Sequence, residues 1–287
     1  MSKSQIACSI STTECTVVRL KTSGSGYSLS ECQILPLGLG DLISGKRKRL
    51  LNKLKSCLKV WYNEDLALSI EPGTYLPLPA YFPAKASPED CKEYSKIEAG
   101  YFLTQPEKYS CDISGYFDTN SSRTYKKHLL LFYPDEHCRK VSEHFATNHR
   151  IVFIGSPQLP LFHLSKLTGE PQVILELENN YVLLTISRNG HIQQFSFHQV
   201  MNKEEMEYFT IKELVDNPVC RETGVQVTGT MADKIMTGLI GKETSIVLKA
   251  LSIPPSISIS NPQQFTLSSA SAVKAISTAL MALSSKK

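Results

Sequence analysis

Apolar and polar positions in the middle of the chain form a pattern that predicts three successive strands. Residues 173–177 and 181–186 are dense in leucine, isoleucine and valine, and a polar turn lies between them. Asn189 and Gly190 predict a tight hairpin, because both residues accept the positive φ that a two-residue turn demands. Residues 191–197 then alternate apolar and polar side chains, which predicts the third strand of a meander.

A second meander opens the chain. Residues 5–10, 15–20 and 27–35 alternate apolar and polar positions, and polar turns separate them. The same order of strand, turn, strand, turn and strand therefore begins each half of the sequence, which indicates an internal duplication. We expect an α/β (α+β) protein with two related halves, residues 1–170 and 171–287.

Helices and shorter strands connect and follow the two meanders. Ser87, Pro88 and the acids at 89 and 90 predict a helix start, because Ser caps the first turn and Pro fits the first helical position. Prolines at 77, 79 and 83 predict extended chain and turns around them. The pattern also predicts helices over residues 45–61, 87–102, 134–146, 159–167, 203–215, 231–238, 244–251 and 268–283, strands over 66–70, 109–117, 128–133, 150–155 and 225–230, and extended chain over 254–259.

The order of elements between the meanders indicates an inserted subdomain. A helix, two strands, a second helix and a further strand follow one another between about residues 73 and 150. We expect this segment to form a small α+β subdomain within the first half.

Composition narrows the class of protein. The chain has 287 residues, 41% of them apolar, and a formal net charge of +4, which is too small to indicate a nucleic-acid partner by itself. No apolar run reaches the roughly 18 residues of a spanning helix, and the first residues lack the apolar core of a signal peptide. Eight cysteines without a Cys-x-x-Cys pair favour free thiols over a zinc ribbon. We therefore expect a cytoplasmic protein.

The helix predicted over residues 45–61 has one apolar and one strongly basic face. We interpret the basic face as a solvated surface, and contact with an anionic lipid or a polyphosphate is the alternative. The apolar face carries Leu50, Leu51, Leu54, Leu58 and Trp61, and the basic side chains are Lys46, Arg47, Lys48, Arg49, Lys53, Lys55 and Lys59.

The joint order of these segments resembles the actin-like ATPases of the PilM and FtsA type. Those proteins open with a strand, Asp-Ile-Gly-Ser-Ser-Ser and a Lys-Val-Val strand, and the ungapped match here is residues 9–14 and 16–20. Their second phosphate loop begins Asp-Ile-Gly and matches residues 176–178, and their adenosine motif Leu-Ser-Gly-Gly matches residues 227–230. The resemblance implies duplicated actin-like (ribonuclease H-like) halves, with the extra subdomain of that family at 73–150.

The departures from the family pattern fall on its nucleotide-binding positions. In active relatives two Asp side chains organise Mg²⁺ and the attacking water, and two Gly residues let backbone amides close on the phosphates. Glu178 adds bulk and negative charge where a phosphate would sit, and two like charges about 4 Å apart repel by a few kcal/mol. The altered positions are Ser9 and Glu176 for the two Asp, Ser11 and Glu178 for the two Gly, Thr16 for a Lys and Thr230 for a Gly, whereas Gly229 is retained.

The resemblance implies a non-catalytic adaptor that has lost ATPase activity and ATP binding. It also implies that a groove between the first subdomain and the insert receives a short peptide of a membrane-anchored partner, at the inner face of a pilus or secretion assembly. A divergent ATPase or small-molecule kinase is the alternative, with Glu176 in place of the catalytic Asp and with ATP and Mg²⁺ as cofactors. We expect no nucleic-acid partner.

Two other groups of side chains have weaker chemical interpretations. His128, His137, His144 and His149 lie close in sequence, but no pair has the His-x-x-x-His spacing of metal ligands on one helix face, so we expect no metal site there. The carboxylates at 176 and 178 share one strand face, but no adjacent nucleophile or base indicates acid–base catalysis.

Overall fold

The computed structural model describes residues 3–24, 26–44, 46–117, 124–259 and 270–284. Its strands, numbered along the chain, are β1 Ser4–Ile10, β2 Cys15–Ser23, β3 Gly26–Leu35, β4 Leu66–Ile70, β5 Leu76–Pro83, β6 Tyr109–Gly115, β7 Tyr125–Pro134, β8 Ile151–Gly155, β9 Gln172–Glu178, β10 Tyr181–Arg188, β11 His191–Gln199, β12 Val225–Thr228, β13 Leu248–Ala250 and β14 Ile257–Ile259. Its helices are α1 Leu39–Ile43, α2 Arg47–Leu58, α3 Pro88–Phe102, α4 Glu136–Phe145, α5 Gln158–Thr168, α6 Lys203–Asp216, α7 Pro218–Thr223, α8 Lys234–Thr244 and α9 Ala270–Ser284, and short 3₁₀ turns cover Lys59–Trp61 and Pro106–Lys108.

Tertiary contacts divide the chain into two compact units, each built from separate stretches of sequence. Unit 1 comprises Met1–Pro72, Asp135–Leu167 and Ser252–Lys287, and unit 2 comprises Gly73–Pro134 and Thr168–Leu251. The division of the sequence into halves at residue 170, with an insert over 73–150, stays a prediction.

Unit 1 is built on a six-stranded sheet with the order β14-β3-β2-β1-β4-β8. The predicted first meander forms its centre, because β1 pairs antiparallel with β2 and parallel with β4. Helix α9 packs against β1, β2 and β4, and all of its residues from 271 to 283 are buried. Helix α2 buries its predicted apolar face and exposes its basic one.

Unit 2 contains two sheets. The second meander forms a five-stranded sheet with the order β11-β10-β9-β12-β13, in which β9 pairs antiparallel with β10 and parallel with β12. A three-stranded sheet with the order β5-β7-β6 packs beneath α3, around Phe82, Leu130 and Phe132. This mixture of sheets and helices confirms the predicted α/β (α+β) class.

Two local predictions are confirmed in detail. Asn189 and Gly190 have φ angles of 51° and 78°, as the tight turn between β10 and β11 demands. The Ser87 hydroxyl accepts a hydrogen bond from the Asp90 amide at 3.1 Å, and the Asp90 carboxylate accepts one from the Ser87 amide at 2.9 Å. The start of α3 is therefore a reciprocal cap of the predicted kind.

The segment after α6 differs from the sequence prediction. The helix predicted over residues 244–251 is wrong, because Ser245 turns to a φ of 57° and ends α8, after which β13 pairs in parallel with β12. The helix predicted over 231–238 begins later, at the Asp233 cap, and continues to Thr244. The apolar side chains in this region fit both the helical and the strand period, and tertiary pairing decides between helix and strand.

The proline-rich segment after residue 75, predicted as extended chain and turns, forms the paired strand β5. Its prolines at 77, 79 and 83 are spaced at even intervals, so their nitrogens lie on one side of the strand. Among the described residues, strand β5 lies at the edge of its sheet and pairs with β7 alone, so the side of the strand that carries the proline nitrogens needs no backbone donors. The first two residues of the predicted last helix, 268 and 269, lie outside the described residues.

Candidate functional site

The first phosphate-loop positions lie on β1, β2 and the turn between them in unit 1. Ser9 is buried on β1 directly opposite Thr16 on β2. The Thr16 hydroxyl forms a short hydrogen bond with the Ser271 hydroxyl at the start of α9. Where the family resemblance implied a phosphate-contacting Lys, this chain therefore has a hydroxyl that contacts its own last helix. The hydroxyls of Ser9 and Ser11 are buried and lack a hydrogen-bond partner among the described residues.

A buried ion pair lies beside the same turn. Lys274 on α9 and Glu71, directly after β4, are almost completely buried, and Lys274 Nζ lies 3.5 Å from a Glu71 carboxylate oxygen. The Thr12 amide donates a hydrogen bond to the other carboxylate oxygen at 3.2 Å. The sequence analysis missed this pair, although Lys274 is the lone charged residue between Ala270 and Ser284. An isolated Lys in an apolar helix is a signal that could have identified it, because buried ammonium groups need an acidic partner.

The second phosphate loop and the adenosine motif meet in unit 2 through one side chain. Glu178 ends β9 and is 4% exposed, and its carboxylate accepts a hydrogen bond from the Thr230 hydroxyl at 2.7 Å. The Thr230 amide donates to the other carboxylate oxygen at 3.3 Å. A hydroxyl and an amide of the adenosine motif are thus bonded to a carboxylate of the protein itself.

Gly229 permits this close approach of the loop to β9. Its φ is 107°, and a Cβ atom at this position would lie 2.1 Å from the Leu177 carbonyl oxygen. That same carbonyl accepts a hydrogen bond from the Met231 amide at 3.0 Å. The positive φ and the close approach to Leu177 therefore explain why position 229 is a glycine in this chain.

Glu176 lies two residues before Glu178 on β9 and is buried. The Tyr181 hydroxyl donates a hydrogen bond to its carboxylate at 3.2 Å. The Tyr181 ring belongs to a cluster with Tyr75 and Phe197, at centroid distances of 6.2 and 5.4 Å. Glu176 is therefore held beneath an aromatic cluster of unit 2, in the position where the alternative interpretation places a catalytic carboxylate.

The predicted histidine group is distributed over several environments. His128 lies on β7 in unit 2 and stacks on Phe82, and burial lowers its pKa. His137 and His144 lie on α4 in unit 1, and burial lowers the pKa of each. His149 donates from Nδ1 to the Glu64 carbonyl oxygen at 3.0 Å, because a carbonyl can only accept. His128 and His149 therefore have local partners, whereas Nδ1 of His137 and Nε2 of His144 are buried without a hydrogen-bond partner among the described residues.

Comparison with solved structures identifies the fold as that of the actin-like ATPases. A structure described as the PilM-PilN type IV pilus biogenesis complex matches with a TM-score of 0.73 and 12% identity, over 97% of this chain and 98% of that chain. A Bacteroides thetaiotaomicron protein with actin-like ATPase fold and unknown function matches with a TM-score of 0.51 and 11% identity, over 96% of this chain and 95% of that chain. The resemblance to PilM-type proteins is therefore confirmed at the level of the fold.

Comparisons at the level of sequence add no relative. No protein-family model matches the chain, and no curated protein matches it. Within the parts of the chain that the structure describes, no helix is long and apolar enough to cross a membrane.

Proposed function

We propose that this protein is a non-catalytic adaptor with an actin-like fold, which does not bind ATP. The observation that carries the proposal is the carboxylate of Glu178, which accepts hydrogen bonds from the amide and the hydroxyl of Thr230. The family resemblance places a phosphate at position 178, where a buried carboxylate would repel it. The same carboxylate accepts from two donors of the adenosine motif, which are then not free for a nucleotide. Binding a phosphate would require Glu178 to leave its bonded position or to become protonated.

The first loop supports the same proposal from unit 1. Serine at position 9 supplies no carboxylate for Mg²⁺, which prefers charged oxygen ligands. Thr16 is bonded to Ser271, and the buried cation of Lys274 lies within ion-pair distance of Glu71. Thr16, at the position of the family's Lys, therefore contacts the last helix of the protein itself.

The adaptor role is proposed from the similarity to the PilM-PilN complex together with an exposed apolar surface. In that solved structure a protein of the same fold is described as part of a complex with PilN. Here Ile97 and Tyr101, one turn apart on α3, and the neighbouring Phe102 are 58%, 80% and 57% exposed. Exposed apolar side chains grouped on one helix are typical of a docking surface. We propose that α3 contributes to binding a short peptide of a membrane-anchored partner, which places the protein in the cytoplasm at the inner membrane face.

Site-specific crosslinking in native cells tests the adaptor role. A photoreactive phenylalanine analogue at Tyr101 is expected to give an adduct with a membrane-anchored assembly protein. The matched control is the same substitution at Tyr208 on α6, which is 61% exposed and lies far from α3 in sequence. Adducts from neither position, or only with proteins unrelated to membrane assemblies, would remove the adaptor role.

A hydrolysis assay tests the non-catalytic half of the proposal. The purified protein is expected to release no phosphate from Mg-ATP above the level of a Glu176→Gln variant. Turnover that disappears in this variant would instead support the divergent ATPase, with Glu176 as the catalytic carboxylate.

A further inference from the structure

A pocket with a mixed apolar and polar lining opens in unit 1 between the end of α2 and the end of α4. Its volume is about 540 Å³, within the range of small-ligand sites, and the buried side chains of Leu58 and Phe145 contribute apolar surface to it. Its lining residues include no Asp or Glu. The polar lining comprises Asn52, Lys55, Ser56, Lys59, Asn148 and His149.

The two lysines give the pocket its charge. Lys55 and Lys59 lie one helical turn apart, and among the described residues neither is in an ion pair. Burial lowers the pKa of His144, and the nearby charge of Lys55 lowers it further. Two cations one turn apart, with no Asp or Glu lining the pocket, provide charged donors of the kind that bind anionic oxygens.

Polar groups around the lysines are held in place by the backbone. The His149 ring is fixed by a hydrogen bond of 3.0 Å from Nδ1 to the Glu64 carbonyl oxygen. The Asn148 carbonyl oxygen accepts a hydrogen bond from the Asn63 amide at 3.1 Å. The Ser56 hydroxyl donates to the Asn52 carbonyl oxygen at 3.0 Å, so it presents acceptor lone pairs only. The side-chain amides of Asn52 and Asn148 complement the lysines as donors for anionic oxygens.

The surroundings of the pocket favour one class of ligand. Residues 46–59 carry seven basic side chains and no acidic one, whereas the whole chain has a formal net charge of only +4, so the rest of the chain is net acidic. Next to this basic helix, Val60 is 82% exposed and Tyr62, which lines the pocket, is 57% exposed. A basic helix flanked by an exposed aliphatic and an exposed tyrosine is typical of a surface that lies on a membrane interface.

We propose that this pocket binds the phosphate of an anionic phospholipid headgroup, with Lys55 and Lys59 as the phosphate ligands. The remaining basic side chains of residues 46–53 then face the membrane surface and add non-specific attraction. This contact is independent of the partner peptide and of the state of the phosphate loops. It gives the protein a membrane contact of its own.

Vesicle co-sedimentation with the full chain tests this proposal. The protein is expected to sediment with vesicles of phosphatidylglycerol and phosphatidylcholine, but not with pure phosphatidylcholine. Loss of any two lysines near an anionic surface should weaken binding about 30-fold, since each contributes about fivefold. A K55A/K59A variant should lose more than this, because Lys55 and Lys59 also contact the phosphate directly. The matched control is K48A/K53A, which removes two exposed lysines of the same helix that do not line the pocket. Both pairs are exposed, so thermal unfolding should be unchanged in either variant.

Each outcome distinguishes the pocket from other sources of binding. A larger loss in K55A/K59A than in K48A/K53A supports the pocket, whereas equal losses would show a diffuse basic surface and overturn it. Failure of the wild type to prefer anionic vesicles would overturn the membrane contact. A thermal shift with inorganic phosphate that needs Lys55 and Lys59, without vesicle binding, would assign the pocket to a soluble phosphate compound instead. Binding of duplex DNA in preference to vesicles would likewise overturn the lipid assignment.

Discussion

Glu178 and Thr230 lie 52 residues apart in sequence and are joined by two hydrogen bonds, from the Thr230 hydroxyl at 2.7 Å and from its amide at 3.3 Å. The resemblance to PilM-type motifs assigns glycines to both of these positions. The carboxylate is bonded to donors that the family resemblance assigned to a nucleotide. Both replacements therefore act together, because one supplies the acceptor and the other adds a hydroxyl donor.

A double-mutant cycle measures this interaction. Thr230→Val removes the hydroxyl and leaves the buried carboxylate with one donor fewer, so we expect a loss of about 1.5–3 kcal/mol in the free energy of unfolding. Combined with Glu178→Gln, the loss should fall short of the sum of the single losses by about 1 kcal/mol. Urea unfolding of the four proteins gives the coupling, and strict additivity would contradict it.

Gly229 and Gly238 form a matched pair for the backbone argument. Gly229→Ala should destabilise the protein by about 1–3 kcal/mol through backbone strain. The clash of the new Cβ with the Leu177 carbonyl adds a further loss. Gly238→Ala on α8 has nothing within 4 Å of the new Cβ and should stabilise by about 0.5–1 kcal/mol. Thermal unfolding should shift in opposite directions, and equal shifts would contradict the assigned close approach.

The ion pair between Lys274 and Glu71 should be sensitive to removal of one partner. Lys274→Met leaves the buried Glu71 carboxylate without its ammonium partner, and we expect a loss of about 3–5 kcal/mol in the free energy of unfolding. The control is Lys96→Met, which breaks the exposed pair with Glu93 and should change stability within experimental error. A small loss for Lys274→Met would show that this lysine is not held by a buried charge.

The buried thiols predict how stability depends on alkaline pH. Burial raises the pKa of Cys111 to about 12 and that of Cys32 to about 11, so the folded state favours the neutral thiols. A thiol with a raised folded pKa contributes stability below the unfolded pKa of about 8.5 and loses it as pH rises toward the folded pKa. Over the roughly two pH units between pH 9 and pH 11, the free energy of unfolding should fall more for the wild type than for Cys111→Ala.

Thermal unfolding of the two proteins across that range measures the difference. Subtraction removes the contribution of tyrosines and lysines, which titrate alike in both. Parallel curves would mean that the Cys111 thiol ionises equally in the folded and unfolded states.

The sequence predicts the meanders and caps well because their causes are local. Asn189 and Gly190 define the hairpin through their own conformational preferences, and Ser87 caps α3 within one turn. Tertiary pairing decides where the local signal is ambiguous. Ser245 ends α8 early, and β13 then forms because β12 offers a parallel edge.

The candidate site is only partly predictable from the sequence. The altered positions Glu178 and Thr230 were identified by resemblance, but their mutual hydrogen bonds depend on Gly229 and on how closely the loop approaches β9. The lone Lys274 in an apolar helix indicates that an acidic partner is needed, but its partner Glu71 lies in a distant segment that the sequence does not single out. Residue types thus indicate which positions depart from the family pattern, whereas the structure shows which contacts Thr16 and Glu178 make instead.

Isothermal titration of Mg-ATP into the purified protein tests the central claim most directly. If Glu178 occupies the donors of Thr230 and the first loop lacks its metal-binding carboxylate, the titration should show no saturable heat at millimolar nucleotide. A saturable isotherm with one site per chain, weakened by substitution at Glu176 or Gly229, would contradict the account.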